Sequence, residues 1–444
     1  MIASSLRRAL LPMLIAPCLL LAGCEDLGLD SPKPKLPGTR ISVLTLEKAL
    51  EPDPEIAALE VRLPKPVTNP DWPQTGGFPN HAMQHLGLHD QLSEAWSTNV
   101  GEGATRYTRI TSTPIVVNNR VYAMDGGSLV TALDATTGKE IWQFDVRPKD
   151  DGSRAFGGGV AFADGVLYVT TGFAQIVALD ATAGKELWRT ALPSPMRDAP
   201  TVSDGRVFAV TIENELYALA ASDGHKLWSN SGIPETADLL GGASPVVEGE
   251  VVVVPYSSGE LVALRVENGR VIWTDNLAAT RRFDAISTLA DIRGQPVIDR
   301  GRVFAIGHSG RLVSIDLRTG ERVWEQEISG EAMPWVAGDF IYVLSSEGDV
   351  LCLTRADGRV RWVTTLDRYE NPEKKRRPIL WSGPVLAGDR LVLVSSNGLA
   401  MSLSPYTGKA LGQIELPAGT SISPIVAADT LYVMTDDADL IAMR

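Results

Sequence analysis

The chain has 444 residues, a formal net charge of −13 and 44% hydrophobic residues. That apolar content supplies a sizeable core. The acidic balance excludes a nucleic-acid partner, which would require a basic face.

In chain order, the first feature is an export signal. Arg7 and Arg8 precede an apolar run from Ala9 to Leu21, followed by Ala22-Gly23-Cys24. A basic start, a short apolar stretch and small residues at the cleavage point define such a signal, and the run is too short to span a bilayer. Leu21-Ala22-Gly23-Cys24 resembles the bacterial lipobox, which implies that residues 1–23 are removed and that Cys24 becomes the acylated first residue. The alternative is an ordinary signal peptide with an incidental Cys. Several acyl chains on one residue meet the requirement for more than one lipid signal in stable anchoring. Glu25 and Asp26 leave open which membrane, inner or outer, receives the anchor. Of the three Cys, only Cys352 lies beyond this region. No internal disulfide is possible in the mature chain, and Cys352 reads as a small core residue.

Residues 24–86 are rich in Pro and charge, which predicts an extended spacer with a short helix around Pro54 to Arg62. His81, His85 and His89 have helical i, i+4, i+8 spacing, but Pro79 and Gly87 interrupt the segment and no carboxylate or Cys motif accompanies it. No metal site is expected there.

From residue 87 to 444 a single plan recurs. TPIVV, RVYAM, SLVTAL and EIWQF are short apolar bursts joined by polar turns, the pattern of a four-stranded meander. ALDATTGKEIW (132–142) is written again as ALDATAGKELW (178–188), ALAASDGHKLW (218–228), ALRVENGRVIW (263–273), SIDLRTGERVW (314–324) and CLTRADGRVRW (352–362). SLSPYTGKALG (402–412) is a last copy without its Trp. Gly138, Gly184, Gly224, Gly269, Gly320, Gly358 and Gly408 stay in register, with Trp four residues later in all but the last. Together with Trp96, the marks fall 38 to 51 residues apart, the size of a propeller blade. Seven units are complete. An eighth, from 413, has three strands, while the strand around Trp96 has no unit in front of it. Pairing the two closes an all-β, eight-bladed propeller of four-stranded antiparallel blades and removes the open edges. Trp96, Trp142, Trp188, Trp228, Trp273, Trp324 and Trp362 are then expected in the seams between blades, the turn Gly giving room for close approach.

Two loops stand out. Thr274 to Gln295 is the longest connection between blades, and Asp367 to Pro378 carries the basic run Lys374 to Arg377. Propeller loops hold binding residues because the blades only position them. Either loop is also readable as a solvated insertion, and for the basic run that is the favoured reading.

The Ala-x-Asp-x-x-x-Gly-Lys-x-x-Trp pattern resembles the tryptophan-docking repeat of pyrroloquinoline-quinone propellers. One branch of that group comprises dehydrogenases, and this resemblance implies an alternative in which quinone and calcium occupy the central channel. The chain lacks the adjacent Cys pair common in the alcohol-oxidising branch and any evident Asn, Asp and Glu cluster for a metal. The lipobox, Pro-rich spacer and bare propeller are instead similar to the BamB family of lipoprotein subunits in the β-barrel assembly machinery. That resemblance implies a non-enzymatic scaffold without a cofactor, lipid-anchored at the periplasmic face of the outer membrane. Its implied partners are the POTRA domains of BamA, other subunits of the machinery and unfolded outer-membrane proteins. The family's contact uses a Leu-x-Leu-Arg stretch and an Asp-x-Asp ahead of successive middle blades. Here the first place reads Ala237-Asp238-Leu239-Leu240, and the second Asp291-Ile292-Arg293. The resemblance therefore implies Leu239, Leu240, Asp291 and Arg293 as contact residues, with Leu239 and Asp291 matching the motif.

Overall fold

The computed structural model describes residues 50–149, 155, 157–235, 241–278 and 290–444. The signal segment and Cys24 lie outside them. Leu50–Arg444 forms one compact unit, and among the described residues there is no helix. Eight four-stranded antiparallel sheets follow one another. Blade 1 takes Ile115–Val117, Arg120–Met124, Leu129–Asp134 and Glu140–Asp145, from the inner to the outer strand. In blade 8, Ile425–Ala427, Thr430–Met434 and Asp439–Met443 are completed by Glu94–Asn99 from the other end of the chain. Trp96 pairs with Ala442 and Asn99 with Asp439, so the ring is closed as the repeat count requires.

Strand alternation sets the core. Ile115, Tyr122 and Val130 of blade 1 pack against Val160, Leu167 and Val177 of blade 2, so each hydrophobic layer lies between neighbouring blades. Each of the seven repeat Trp residues joins one blade to the next. Trp96 Nε1–H donates to the Ala135 carbonyl at 3.0 Å, and Trp142 does so to Ala181 at 3.2 Å. Trp188 reaches Ala221, Trp228 reaches Val266, Trp273 reaches Leu317, Trp324 reaches Arg355 and Trp362 reaches Pro405. Each ring lies under the turn Gly of the following blade. A Cβ on Gly138 would come within 2.6 Å of the Trp96 ring, and its φ of 69° is left-handed, so both space and backbone require glycine.

On this meander, the turns after the inner strand and before the outer strand share one face of the ring, here called the lower face. The remaining turns and the connections between blades share the upper face. The structure departs from the expected spacer at the lower face. Residues 69 to 88 form a strap that meets the inner region of every blade in turn. The Ala428 N–H donates to Asn69 O at 2.6 Å, Trp72 and Val116 exchange both backbone bonds, and the Phe162 N–H donates to Pro73 O at 2.7 Å. Val202 N–H binds Gln74 Oε1 at 2.9 Å, Val247 N–H binds Pro79 O at 2.7 Å, and Ile298 N–H binds Asn80 O at 2.9 Å. Trp335 Nε1–H then reaches Gln84 O at 2.8 Å, and Leu86 bonds with Leu386 and Gly388. The strap gives inner-strand N–H groups the acceptors that a sheet neighbour would otherwise supply.

The chain is already docked upstream of the strap, where Asp53 N–H donates to Val360 O at 2.8 Å. Pro54 to Ala58 forms turns, not the expected helix. Two bonds of the i→i+3 kind, Ile56 N–H to Asp53 O and Leu59 N–H to Ile56 O, serve it there. His81 and His85 are buried, and each ring Nδ1–H donates to a proline carbonyl, Pro296 and Pro64, at 2.7 Å. Cys352 is a buried free thiol, pushed up by burial, as a core residue should be.

Candidate functional site

The upper face of blades 3 to 5 brings together the two stretches singled out for partner contact. Leu239 and Leu240 themselves lie outside the described residues, as do residues 279–289 of the long connection. Their flanks are adjacent. A Cβ on Gly241 would lie 2.8 Å from Arg293 Nη2, so the two loops touch where the guanidinium crosses.

Arg293 is partly exposed and pairs with Glu331, which also accepts a hydrogen bond from His308 Nδ1 at 2.8 Å. Burial alone would raise the Glu331 carboxyl. The His308 bond and the Arg293 charge outweigh it and hold the group below the usual carboxylate range. Asp291 departs from expectation. It is 3% exposed, so the carboxylate lies inside the loop root, not on its surface. Its backbone carbonyl accepts the His308 N–H at 3.0 Å.

The sequence reading missed the residue that ties these loops at their base. Asp198, on the connection before Pro200, is half-buried, accepts the Ala199 N–H at 2.7 Å and takes a bond from Gln295 Nε2 at 3.2 Å. Ser244 Oγ–H donates to Ala199 O at 2.8 Å and also favours the carboxylate. Burial outweighs these bonds and the Arg293 charge, raising Asp198 to about 6. Nothing in Arg197-Asp198-Ala199-Pro200 marks that role, because only the fold brings Ser244 and Gln295 to it.

The loop after blade 3 also carries an apolar tip. Ile233 is 54% exposed while its backbone is held on both sides, N–H to Glu260 Oε2 and O from Asn214 Nδ2, each at 2.7 Å. A fixed backbone with an exposed aliphatic side chain is a ready anchor for a partner surface. Among the described residues the hollow here, lined by Asp198, Asn214, Gly241 and Asp291, holds about 40 Å³. That admits a water or two, whereas small-molecule sites run to several hundred Å³. The arrangement is a contoured face suited to a polypeptide. Among the described residues no group of three or more His, Cys, Asp or Glu is placed to hold a metal ion.

The seven seam Trp residues bond to the following blade and do not contribute to this face. On the lower face the strap's Trp72 stacks on Trp335 with ring centroids 6.4 Å apart, and His81 and Met83 are buried beside it in the strap.

A family model described as outer membrane protein assembly factor BamB matches residues 126–364. The BamB proteins of Escherichia coli K12 and Yersinia pestis are 30% and 28% identical to the chain, each match covering 77% of it and 86% of the relative. The crystal structure of BamB from Moraxella catarrhalis superposes with a TM-score of 0.67 at 19% identity, over 80% of this chain and all of that one. A europium-containing methanol dehydrogenase superposes equally well, at 0.68 with 15% identity over 88% of this chain and all of that one, which shows the shared propeller and nothing of its chemistry. The sequence relationship decides between the two branches: the chain belongs to the family of the outer membrane protein assembly factor BamB.

Proposed function

We propose that the chain is a non-catalytic scaffold subunit of the machinery that assembles β-barrel proteins in the outer membrane. In this reading it is tethered through a lipid on Cys24 at the periplasmic face of that membrane. The upper-face loops of blades 3 to 5 dock the POTRA domains of BamA, and the complex aids insertion of unfolded outer-membrane proteins. The observation that supports this site is the meeting of Gly241 with Arg293, which joins both loops implied by the family resemblance into one surface. Leu239, Leu240 and Arg293 are its proposed contacts, with Ile233 as an added apolar anchor. Asp291 and Asp198 position the loops. Affinity purification of the tagged chain from its native envelope, with mass spectrometry of what is retained, tests the reading. Recovery of a POTRA-bearing barrel protein is expected; its absence from the retained proteins would overturn the proposal.

A further inference from the structure

Between the outer strand of blade 6 and the inner strand of blade 7 the chain leaves the ring as a hairpin, Tyr369–Asn371 paired with Arg376–Pro378. Every residue from Glu370 to Pro378 is exposed, so no core holds it. A two-stranded hairpin is marginal on its own in water, and here Lys375 and Arg377 also adopt left-handed φ values of 46° and 56°. Arg377 pairs with Glu370 at 3.0 Å, and Arg368 pairs with Glu347 at the base. Lys374, Lys375 and Arg376 have no ion-pair partner among the described residues. Glu373, also without an ion-pair partner among the described residues, stands beside them, so residues 370–378 carry four cations against two carboxylates and project a net positive charge from a chain of net charge −13.

We propose that this hairpin is a docking site for an acidic, extended polypeptide segment. Screening confines its field to about 8 Å at physiological salt, so a narrow acidic segment feels the three cations and little of the negative body behind them. A membrane or a nucleic acid would bring a broad anionic surface against the whole acidic ring. Arg376 offers a planar fork that suits carboxylates. Both strands of the hairpin are edges that an extended chain can pair with. Leu380, 65% exposed beside the base, adds an apolar contact. The inference does not depend on the docking surface of blades 3 to 5.

The test uses the full chain and fluorescein-labelled deca-glutamate, followed by fluorescence anisotropy at low and high salt. Binding that weakens with salt, and at least about tenfold on combining Lys374→Glu, Lys375→Glu and Arg376→Glu, is expected. The pair Lys185→Glu and Lys409→Glu, exposed in lower-face turns, should leave the affinity unchanged, and thermal unfolding should show both variants folded. Retention by phosphatidylglycerol vesicles, to which a lipid on Cys24 would contribute, should be the same for the wild type and the hairpin variant. Unchanged peptide affinity in the hairpin variant, or vesicle binding that the hairpin variant abolishes, would overturn the proposal.

Discussion

Gly408 rests on the Trp362 ring, and Gly412, four residues later, stands where the next such Trp would be. The following seam has no docking Trp because blade 8 offers no turn to receive one: its third and outer strands come from opposite ends of the chain. The end of the strap and the residues just after it take over, with Leu88 against Gly388 and Arg390 Nη1–H donating to Asp90 O at 2.7 Å.

The seams therefore respond differently to substitution. Trp228→Ala removes a ring packed on Phe208 and Gly269 together with its bond to Val266, and should lower stability by about 3 kcal/mol. Gly412→Trp should give no gain, because a side chain there meets nothing within 4 Å, and its indole should emit as a solvent-exposed one. Chemical denaturation and tryptophan fluorescence measure both.

Strap contacts contribute to stability even though the segment has no regular structure. Gln74→Ala deprives the buried Val202 N–H of its acceptor, and should cost about 1–3 kcal/mol in denaturant unfolding. A spacer residue would change nothing.

Acid should act on buried His81 and half-buried Asp198 in opposite directions. His81 is lowered to about 4 by burial, partly offset by its bond to Pro296, so the unfolded chain takes up a proton first. Stability from this group is full above about 6.5 and falls as pH drops towards 4. Asp198 is raised to about 6 by burial, so the folded chain takes up a proton first, and stability from it rises as pH falls from about 6 towards 4. His81→Asn, tolerable at φ 58°, should lose stability less steeply than wild type across that window. Asp198→Asn should lose it more steeply. Unfolding free energies at pH 7, 5.5 and 4.5 (on the order of 1–3 kcal/mol per group) decide the signs.

Partner binding should divide side chains that contact the partner from those that hold the loops. Ile233→Asp and Arg293→Glu should each weaken retention of the assembly machinery by about tenfold or more, with Ile233→Asp leaving the thermal midpoint within a degree or two. Asp291→Arg should lower that midpoint as well, because it places a cation where the structure buries a carboxylate. Pull-down and thermal unfolding on the same preparations separate the effects.

The ring was legible because its signal repeats: Gly138 and Trp142, Gly184 and Trp188, and their counterparts report the same turn and seam each time. The strap was not, since Trp72, Gln74 and Gln84 bind by irregular backbone geometry that leaves no period in the sequence. Pro-rich composition there pointed to a spacer, although proline also suits extended chain that lies against strand ends. At the candidate site, motif matching pointed to the two loops, with Arg293 at the position where the pattern departs. Burial of Asp291 and the linkage through Asp198, Ser244 and Gln295 depend on residues 45 or more positions apart and appear only in the folded chain.

A photo-crosslinking amino acid placed at position 293, and in a separate variant at position 185 on the lower face, tests the docking surface most directly in intact cells. The account expects a crosslink from 293, and none from 185, to the POTRA-bearing subunit of the barrel-assembly machinery. Crosslinking from 185 with none from 293 would contradict it.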